Sequence, residues 1–341
     1  MTDQNKTGQL LKLINESQKI LITAHIGPDG DSVSSSLLAS LILHENFPEK
    51  TIQVVMEEEP RGLDFLLGIE TIQVRPVPQS ISDYHPDLLI ILDANTVNRI
   101  TRYPDQARDS IAQAAPKVVI IDHHEPKGVE NNDLYINDFS PAVTFDIFDL
   151  FIQKLGLKKP AGYAQLAMTG IYTDTGGFVN RNLNYKKTFE ALPKLIEDGA
   201  DIEKIASAVN RISDKGYEFF KIFIENLKLE KDYTYTFLPD ESLKDNGEDI
   251  LEAVKESSDL IRSSFLRTIG GRGWGFIVYK DLLAPEQLYS VSFRSLSTGK
   301  DVSLLAAKLG GGGHKPAAGA KIKAASVNEA LEKIRQAISQ A

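Results

Sequence analysis

The stretch KILITAHIGPDGD (Lys19–Asp31) is an apolar, β-rich run that ends in polar residues and precedes the helical pattern SVSSSLLASLIL (Ser32–Leu43). Two further runs, LLIILD (Leu88–Asp93) and KVVIID (Lys117–Asp122), are also nearly continuous in hydrophobicity and end in a metal-capable side chain. Such runs alternating with amphipathic segments are typical of a parallel sheet covered by helices. We therefore expect an α/β fold whose N-terminal part has a mainly parallel sheet with helices on both faces.

The later part of the chain has a different pattern. Its alternating runs YTYTF (Tyr233–Phe237), WGFIVYK (Trp274–Lys280) and LYSVSFRS (Leu288–Ser295) precede an amphipathic helix near Val327–Ile338. This pattern predicts a smaller α+β domain.

The chain has 341 residues, more than a single hydrophobic core usually spans. Mostly helical periodicity runs from Phe145 into the segment before Tyr233. We therefore predict a first domain over 1–200, a helical linker over 201–229 and a second domain over 230–341.

Composition excludes several classes of protein. The chain has no cysteine, so any metal must bind His, Asp or Glu, and its net charge of −9 argues against tracking long nucleic acid. No apolar run is long enough to span a membrane, and the N-terminus has no secretion signal, so we expect a cytoplasmic protein. The oligomeric state stays open, although a homodimer is the commonest symmetric assembly.

The first polar cluster lies where the first predicted strand ends. His25, Asp29 and Asp31 fall within seven residues, and Pro28 and Gly30 favour a tight turn that would bring the three side chains together. Alternatively, Asp31 could cap the following helix and Asp29-Gly30 could form an ordinary turn.

A second cluster, Asp122-His123-His124, closes the run KVVII. Asp93 ends another strand, and Asp174 lies near the end of a predicted helix. These two aspartates could instead cap a helix and start a glycine turn. The combined set contains two imidazoles and four carboxylates, which suits a hydrolytic centre with two divalent ions: His25, Asp29, Asp31, Asp93, His123 and Asp174. Mn²⁺ suits this set best, while Mg²⁺ and Co²⁺ suit overlapping sets.

The glycine run Gly310–Gly313 precedes His314 and Lys315. Glycines adopt positive φ and expose backbone N–H groups, so a concave turn that holds phosphate is expected here. Arg294, at the end of a predicted strand, can bind phosphate in bidentate fashion. A flexible loop with solvated cations is the alternative.

The sequence resembles the DHH phosphoesterase superfamily, in its two-domain branch. The motifs that carry the resemblance are HIGPDGD, LLIILDANTVNR, IDHH and YTDTGGF, followed by RSLS and GGGGHKPAAG, and they spread over nearly the whole chain. The most similar subgroup contains nano-RNA and pAp phosphatases and stand-alone cyclic di-AMP phosphodiesterases. The resemblance implies a DHH catalytic domain and a DHH-associated C-terminal domain that binds substrate.

The resemblance also implies a role for individual residues. One metal would be held by His25, Asp29 and Asp93, and the other by Asp31, Asp93, His123 and Asp174, with Asp93 bridging both. His124 and Arg99 would contact the phosphate, and Asp122 would support the site. Residues of the second domain would bind the nucleotide: Arg294, Ser295, Gly311, Gly312, Gly313 and His314.

The chain departs from the family pattern at two places. Ser34 stands where the family usually has glycine, which bears on helix packing near the site, and the glycine run before His314 is four residues long. The second departure bears on how closely a base or phosphate can approach.

The expected function is two-metal-dependent hydrolysis of a small nucleotide. Cyclic di-AMP and linear dinucleotides such as pApA are the expected substrates. The alternatives are degradation of nano-RNA two to five nucleotides long and removal of the 3′-phosphate of pAp. A nucleotide-binding module without catalysis is the alternative from a different class.

Overall fold

The computed structural model describes residues 3–126, 128–179, 185–244, 250–282, 284 and 287–340. The chain forms two units, unit 1 (Met1–Val209) and unit 2 (Asn210–Ala341), so the division falls within the segment 201–229 that was predicted as a linker. Each helix of the described residues is too short or too polar to cross a lipid bilayer.

Unit 1 is an alternation of strands and helices. In chain order its elements are α1 (Asp3–Glu16), β1 (Lys19–Thr23), α2 (Gly30–Asn46), β2 (Thr51–Met56), β3 (Gln73–Val74), α3 (Val77–Tyr84), β4 (Leu88–Leu92), α4 (Val97–Ile100), α5 (Pro104–Ala114), β5 (Lys117–Ile121), β6 (Leu134–Ile136), α6 (Val143–Ile147), a π-helical segment (Phe148–Lys154), α7 (Tyr163–Asp174), α8 (Tyr185–Glu197) and α9 (Ile202–Val209).

The strands of unit 1 form one parallel sheet in the order β3-β2-β1-β4-β5-β6. Alternate residues of each central strand enter two separate hydrophobic cores. In β4, for example, Leu88, Ile90 and Leu92 pack on one face, and Leu89 and Ile91 on the other. Both faces of the sheet are therefore covered, which explains the nearly continuous hydrophobicity of these strands and confirms the predicted fold class.

Glycines allow α7 to pack closely against α2 at Gly30 and against α6 at Gly170. A Cβ at Gly30 would lie 2.3 Å from Thr173 Oγ1, and one at Gly170 would lie 2.0 Å from Thr144 Oγ1. Ser34, on α2, is fully buried, and its hydroxyl has no hydrogen-bond partner within the described ranges. The serine therefore places an unpaired buried hydroxyl at the position where the family pattern has glycine, at a cost in free energy.

Unit 2 is an α+β unit, as predicted. Its elements are α10 (Asp214–Glu225), β7 (Lys228–Leu229), β8 (Thr234–Phe237), α11 (Ile250–Ser264), β9 (Trp274–Lys280), β10 (Leu288–Ser295), α12 (Val302–Lys308), β11 (Gly312–His314), β12 (Ala317–Lys323) and α13 (Val327–Ser339).

The sheet of unit 2 has the order β11-β12-β10-β9-β8-β7, and only the β8–β9 pair is parallel. One hydrophobic core joins it to α12 and α13, and a second joins it to α10 and α11. The glycine run differs from the loop that was expected, because Gly312–His314 pairs with β12 as an edge strand. Gly311 is needed for this approach, since a Cβ there would lie 2.1 Å from Gly319 O.

Replacing Gly170 with alanine tests the glycine contact. The new methyl group would meet Thr144 and would lie 3.0 Å from Asp31 Oδ1. We expect Gly170→Ala to lower the free energy of unfolding by about 1–3 kcal/mol, the usual cost of overpacking. Denaturant unfolding followed by circular dichroism measures this change.

Gly8→Ala is the matched control, because a Cβ at Gly8 has open space in α1. This substitution should raise the stability slightly, by about 0.5–1 kcal/mol. Equal stability of the Gly170 variant and the natural protein would contradict the tight contact between these helices.

Candidate functional site

The central strands of unit 1 bring the predicted ligands to one edge of the sheet. His25 follows β1, Asp93 follows β4 directly, and Asp122, His123 and His124 follow β5 directly. Strands β1, β4 and β5 are neighbours in the sheet. The chain continues from β1 to β2 on one side of the β1–β4 pair and from β4 to β5 on the other side. Such a switch point, at the carboxyl ends of parallel strands, is where open α/β sheets bind ligands.

The first ligand group consists of His25, Asp29 and Asp93, whose candidate ligand atoms lie within 4.8 Å of one another. His25 Nε2 is 3.6 Å from Asp29 Oδ1 and 3.2 Å from Asp93 Oδ2. Asp29 is also the N-cap of α2, where Asp31 N and Ser32 N donate to its Oδ1. The cap is therefore Asp29 rather than Asp31, and capping does not remove it from the ligand group.

The second group consists of Asp31, His123 and Asp174, again with ligand atoms within 4.8 Å. Asp174 is the last residue of α7, and His123 Nδ1 lies 3.7 Å from its Oδ2. Asp31 is buried, and the backbone N–H groups of Val143 and Thr144 donate to its carboxylate at 2.7 and 2.8 Å. The first turn of α6 thus fixes this carboxylate.

Asp93 belongs to the first group and also, with His123 and His124, to a third candidate group. Its Oδ2 faces His25, and its Oδ1 lies 3.4 Å from His123 Nε2. The backbone of Asp93 has φ +53°, a left-handed conformation in which Asp and Asn are enriched and which here redirects the chain at the strand end. Oδ1 is buried and has no hydrogen-bond partner in the described part of the chain. An atom in this state suits a cation ligand.

The electrostatics of the cluster also favour cations. Burial of His25 opposes its protonation, yet hydrogen bonds and charges of Asp29 and Asp93 raise its pKa to about 11. Burial likewise opposes protonation of His123, but Asp93 and Asp174 raise the pKa of His123 to about 11. Burial, and then the charge of Asp93, raise the pKa of Asp31 to about 7. Without metal, the negative charge of the aspartates therefore favours proton binding by His25, His123 and Asp31. Divalent ions would take the place of these protons.

His124 is oriented by a chain of buried hydrogen bonds. Its Nδ1 donates to Asp122 Oδ1 at 2.8 Å, and Asn95 Nδ2 donates to Asp122 Oδ2 at 2.7 Å. Burial of Asp122 opposes its ionisation, but the hydrogen bond from His124 keeps its pKa below the usual value. This arrangement directs the second ring nitrogen of His124 away from Asp122.

Arg99 lies on α4, beside the loop that carries His25. Its carbonyl oxygen accepts a hydrogen bond from Ile26 N at 2.7 Å, which ties α4 to that loop. Its side chain is half-buried.

In unit 2 the structure separates the predicted substrate residues by strand face. His314 and Arg294 are both in register with Ala317 of β12, so the three share one face of the sheet. Ser295 lies apart from them, because its side chain is fully buried and its hydroxyl donates to Leu296 O at 3.1 Å. The alternation of β10 places consecutive side chains on opposite faces.

Several supporting residues were missed from the sequence. Asn95 follows Asp93 by two positions and could have been suspected from that spacing. Thr144, whose hydroxyl donates to Asp31, and Ser140, whose carbonyl lies 3.2 Å from His123 Nδ1, lie in a segment without any polar motif. The hydrogen bond to Ser140 O orients the His123 ring, as partners of ligand histidines commonly do.

Comparison with known proteins identifies two matching domain families. Residues 19–171 match the DHH family, N-terminal domain, and residues 264–340 match the DHHA1 domain. The bifunctional oligoribonuclease and PAP phosphatase NrnA of Bacillus subtilis is 28% identical over 92% of this chain and 92% of its own length. The homologue of the same name from Thermus thermophilus is 27% identical over 94% of this chain and 89% of its own.

Two further proteins are similar to this chain, over different shares of their own length. The cyclic-di-AMP phosphodiesterase GdpP of Bacillus subtilis is 24% identical over 97% of this chain, which spans only 49% of that protein. The crystal structure of an exopolyphosphatase-related protein from Bacteroides fragilis has the same fold, with a TM-score of 0.83, 23% identity and coverage of 100% and 98% of the two chains. From the two domain matches and the relatives aligned over nearly its whole length, the chain belongs to the DHH phosphoesterase family and is a hydrolase with a DHH domain followed by a DHHA1 domain.

Proposed function

We propose that this protein hydrolyses the phosphodiester bond of small nucleotides, either linear dinucleotides such as pApA or cyclic di-AMP, to mononucleotides. The observation that carries the proposal is the set of adjoining candidate ligand groups, which share Asp93 and His123. A two-metal centre of this kind is the usual device for in-line displacement at phosphorus. NrnA-like activity on nano-RNA or pAp is the second candidate, favoured by relatives that align with this chain over nearly their whole length.

In this proposal, His25, Asp29 and Asp93 would hold one ion, and Asp31, Asp93, His123 and Asp174 the other. Support comes from three candidate ligand groups: His25, Asp29 and Asp93; Asp31, His123 and Asp174; and Asp93, His123 and His124. Mn²⁺ suits these nitrogen and oxygen donors best. When bound, the ions supply positive charge that stabilises the phosphoryl group during transfer and lowers the pKa of water.

The chain's own residues bind and orient the phosphate. The Nδ1–H of His124 donates to Asp122, so Nε2 is the ring nitrogen that would meet a phosphate oxygen. Arg99 supplies a planar guanidinium that can bind two phosphate oxygens at once.

Unit 2 is proposed to bind the nucleotide through Arg294, Gly311–Gly313 and His314. Gly312–His314 is an exposed edge strand, so its outer backbone groups face solvent. Ser295 is buried, and its contribution would be to hold the end of β10. In the region matched to DHHA1, Arg294 and His314 offer cationic and imidazole groups on one face of the sheet.

Product analysis by chromatography tests the function. The protein with Mn²⁺ is incubated in parallel with pApA, cyclic di-AMP, pAp and a five-nucleotide RNA. Release of AMP from either dinucleotide supports the proposal, and cleavage of pAp or RNA alone supports the second candidate. No product from any substrate would favour the non-catalytic alternative.

Asp93→Asn tests the shared ligand. The amide retains the size of the side chain and tolerates positive φ, but it loses the charge between the two groups. We expect turnover to fall by at least about 10³-fold and the Mn²⁺-induced rise in melting temperature to disappear.

Asp105→Asn is the control, because the Asp105 side chain is 96% exposed and lies on α5. It should behave like the natural protein. Mn²⁺-dependent turnover retained by the Asp93 variant would contradict the bridging role.

Asp122→Asn tests the orientation of His124. Loss of the carboxylate should lower kcat by about 10²-fold, because His124 loses its preferred tautomer and orientation. The affinity for Mn²⁺, measured by calorimetry, should change little, because Asp122 belongs to none of the three candidate metal groups of the described residues. A variant that loses Mn²⁺ instead would reassign Asp122 to metal binding.

A further inference from the structure

The backbone of Phe139 is strained. Its φ of +49° lies in the left-handed region, where a bulky side chain costs free energy. Four other non-glycine residues of the described chain have positive φ: His85, Asp93, Ala115 and Phe178. His85 and Ala115 end α3 and α5, where a left-handed residue is common, and Asp93 is the shared candidate ligand. Phe139 and Phe178 are therefore the bulky apolar residues of this set that need a separate explanation.

Burial explains the conformation of Phe178 but not that of Phe139. The Phe178 ring packs against the rings of Tyr172 and Phe189, with ring centroids 5.8 Å apart in both pairs. Phe139, in contrast, is 53% exposed. A large apolar side chain that is exposed gains little from the hydrophobic effect, so it does not offset the strain of its own backbone. Strain of this kind is typically retained where a residue has a functional role.

The segment that carries Phe139 lies at the same edge of the sheet as the candidate ligands. It follows β6, which runs parallel to β5, and β5 leads directly into the histidine pair. Asn137 Nδ2 donates to His124 O at 2.7 Å, and Ser140 O lies 3.2 Å from His123 Nδ1. Phe139 is thus flanked on both sides by residues that contact these histidines.

The neighbours of Phe139 also hold its backbone in place. Asn137 Oδ1 accepts a hydrogen bond from Phe139 N at 3.0 Å. On the other side, Ser140 Oγ lies 2.7 Å from Oδ2 of the buried Asp146 and 2.9 Å from Ala142 O. A strained residue persists only where the surrounding structure determines its conformation, and these contacts do so. The exposed ring is therefore carried by a fixed backbone beside the site.

A nucleobase is the ligand that suits this ring. The side chain of Phe139 has a planar apolar face and neither a donor nor an acceptor, so it cannot bind a phosphate or a sugar hydroxyl by hydrogen bonding. The proposed substrates carry a base on each side of the scissile phosphate, and His124 would contact that phosphate. Stacking of one base on an exposed aromatic ring typically strengthens binding by about 5- to 100-fold.

We propose that Phe139 is a stacking platform for a nucleobase next to the scissile phosphate. This inference rests on the proposed hydrolysis of small nucleotides and adds a base subsite in unit 1. Every base has a π-face, and the ring has no hydrogen-bonding group, so the platform holds purines and pyrimidines alike. Discrimination between bases then depends on other residues.

Abasic analogues of pApA test the platform kinetically. In each analogue one adenine is replaced by hydrogen, and the readout is the ratio of kcat/KM for pApA to that for the analogue, with Mn²⁺. For the natural protein we expect a ratio of about 5 to 100 for one of the two analogues. Phe139→Asn should bring this ratio close to one, mainly through KM for pApA, because asparagine tolerates positive φ but has no aromatic face. An unchanged ratio in Phe139→Asn would overturn the proposal.

Three further variants separate stacking from structure. Phe139→Tyr keeps the aromatic face and should keep the ratio. Tyr217→Asn removes an aromatic ring that is 52% exposed on α10, and it should also keep the ratio. Phe139→Gly should lose the ratio but melt no lower than the natural protein, because glycine adopts the left-handed conformation freely. A marked fall in its Tm would assign Phe139 a structural role and contradict the proposal.

A contact between two copies of the chain is the other use that an exposed aromatic ring can have. Sedimentation velocity of the natural protein and of Phe139→Asn distinguishes the two uses. Stacking predicts the same oligomeric state for both proteins. A dimer that dissociates on substitution, together with an unchanged ratio, would place Phe139 in an interface and refute the platform.

Binding without hydrolysis separates this inference from the proposed function. Each adenine of pApA is replaced in turn by 2-aminopurine, whose fluorescence falls on stacking, and the dinucleotide is titrated with the full chain in EDTA. The platform predicts quenching by the natural protein and its loss in Phe139→Asn. If no dinucleotide is hydrolysed but this quenching is observed, the platform stands and the proposed function falls. If dinucleotides are hydrolysed and both abasic analogues react as efficiently as pApA, only the platform is refuted.

Discussion

The concentration of negative charge beyond the carboxyl ends of β1, β4 and β5 is the constraint on which unit 1 depends. Asp29, Asp31 and Asp93 have no lysine or arginine partner within the described residues, and Asp93 and Asp31 are almost fully buried. Carboxylates held this way are costly without compensating charge. The histidines provide part of that compensation as protonated imidazoles, and divalent cations would provide it in full.

Helix starts and strand ends together create this arrangement. The first turn of α2 donates to Asp29, the first turn of α6 donates to Asp31, and the left-handed backbone of Asp93 turns its side chain between the two groups. Close packing of α7 at Gly170 leaves room for Thr144 to reach Asp31. The hydrophobic core thus fixes the positions of the polar groups, which side-chain flexibility alone could not do.

The sequence was sufficient to predict the sheet, and that these polar side chains meet at its edge, for a simple reason. Each central strand is hydrophobic on both faces and ends in a polar residue, so His25, Asp93 and His123 mark where the strands stop. The supporting contacts could not be predicted, because Asp31 meets Val143 and Thr144 across more than a hundred residues.

Two features of unit 2 were not predicted from the sequence. Arg294 and Ser295 lie on opposite faces of β10 because neighbouring side chains of a strand alternate, whereas the motif RSLS suggested that both residues bind substrate. The glycine run was expected to form a loop because glycine favours turns, whereas pairing with β12 makes its last residues an edge strand. Here tertiary pairing overrides a local preference.

The long separation of the ligands along the chain has a consequence for biosynthesis. Ile20 pairs with Leu88, and Asp174 lies at the end of α7, so the ligand set is complete only after most of unit 1 has left the ribosome. Parallel pairing over such distances forms slowly. The carboxylates of a nascent chain therefore stay hydrated until late in its synthesis, and divalent ions would bind only after α7, which follows the last strand of the sheet, has folded.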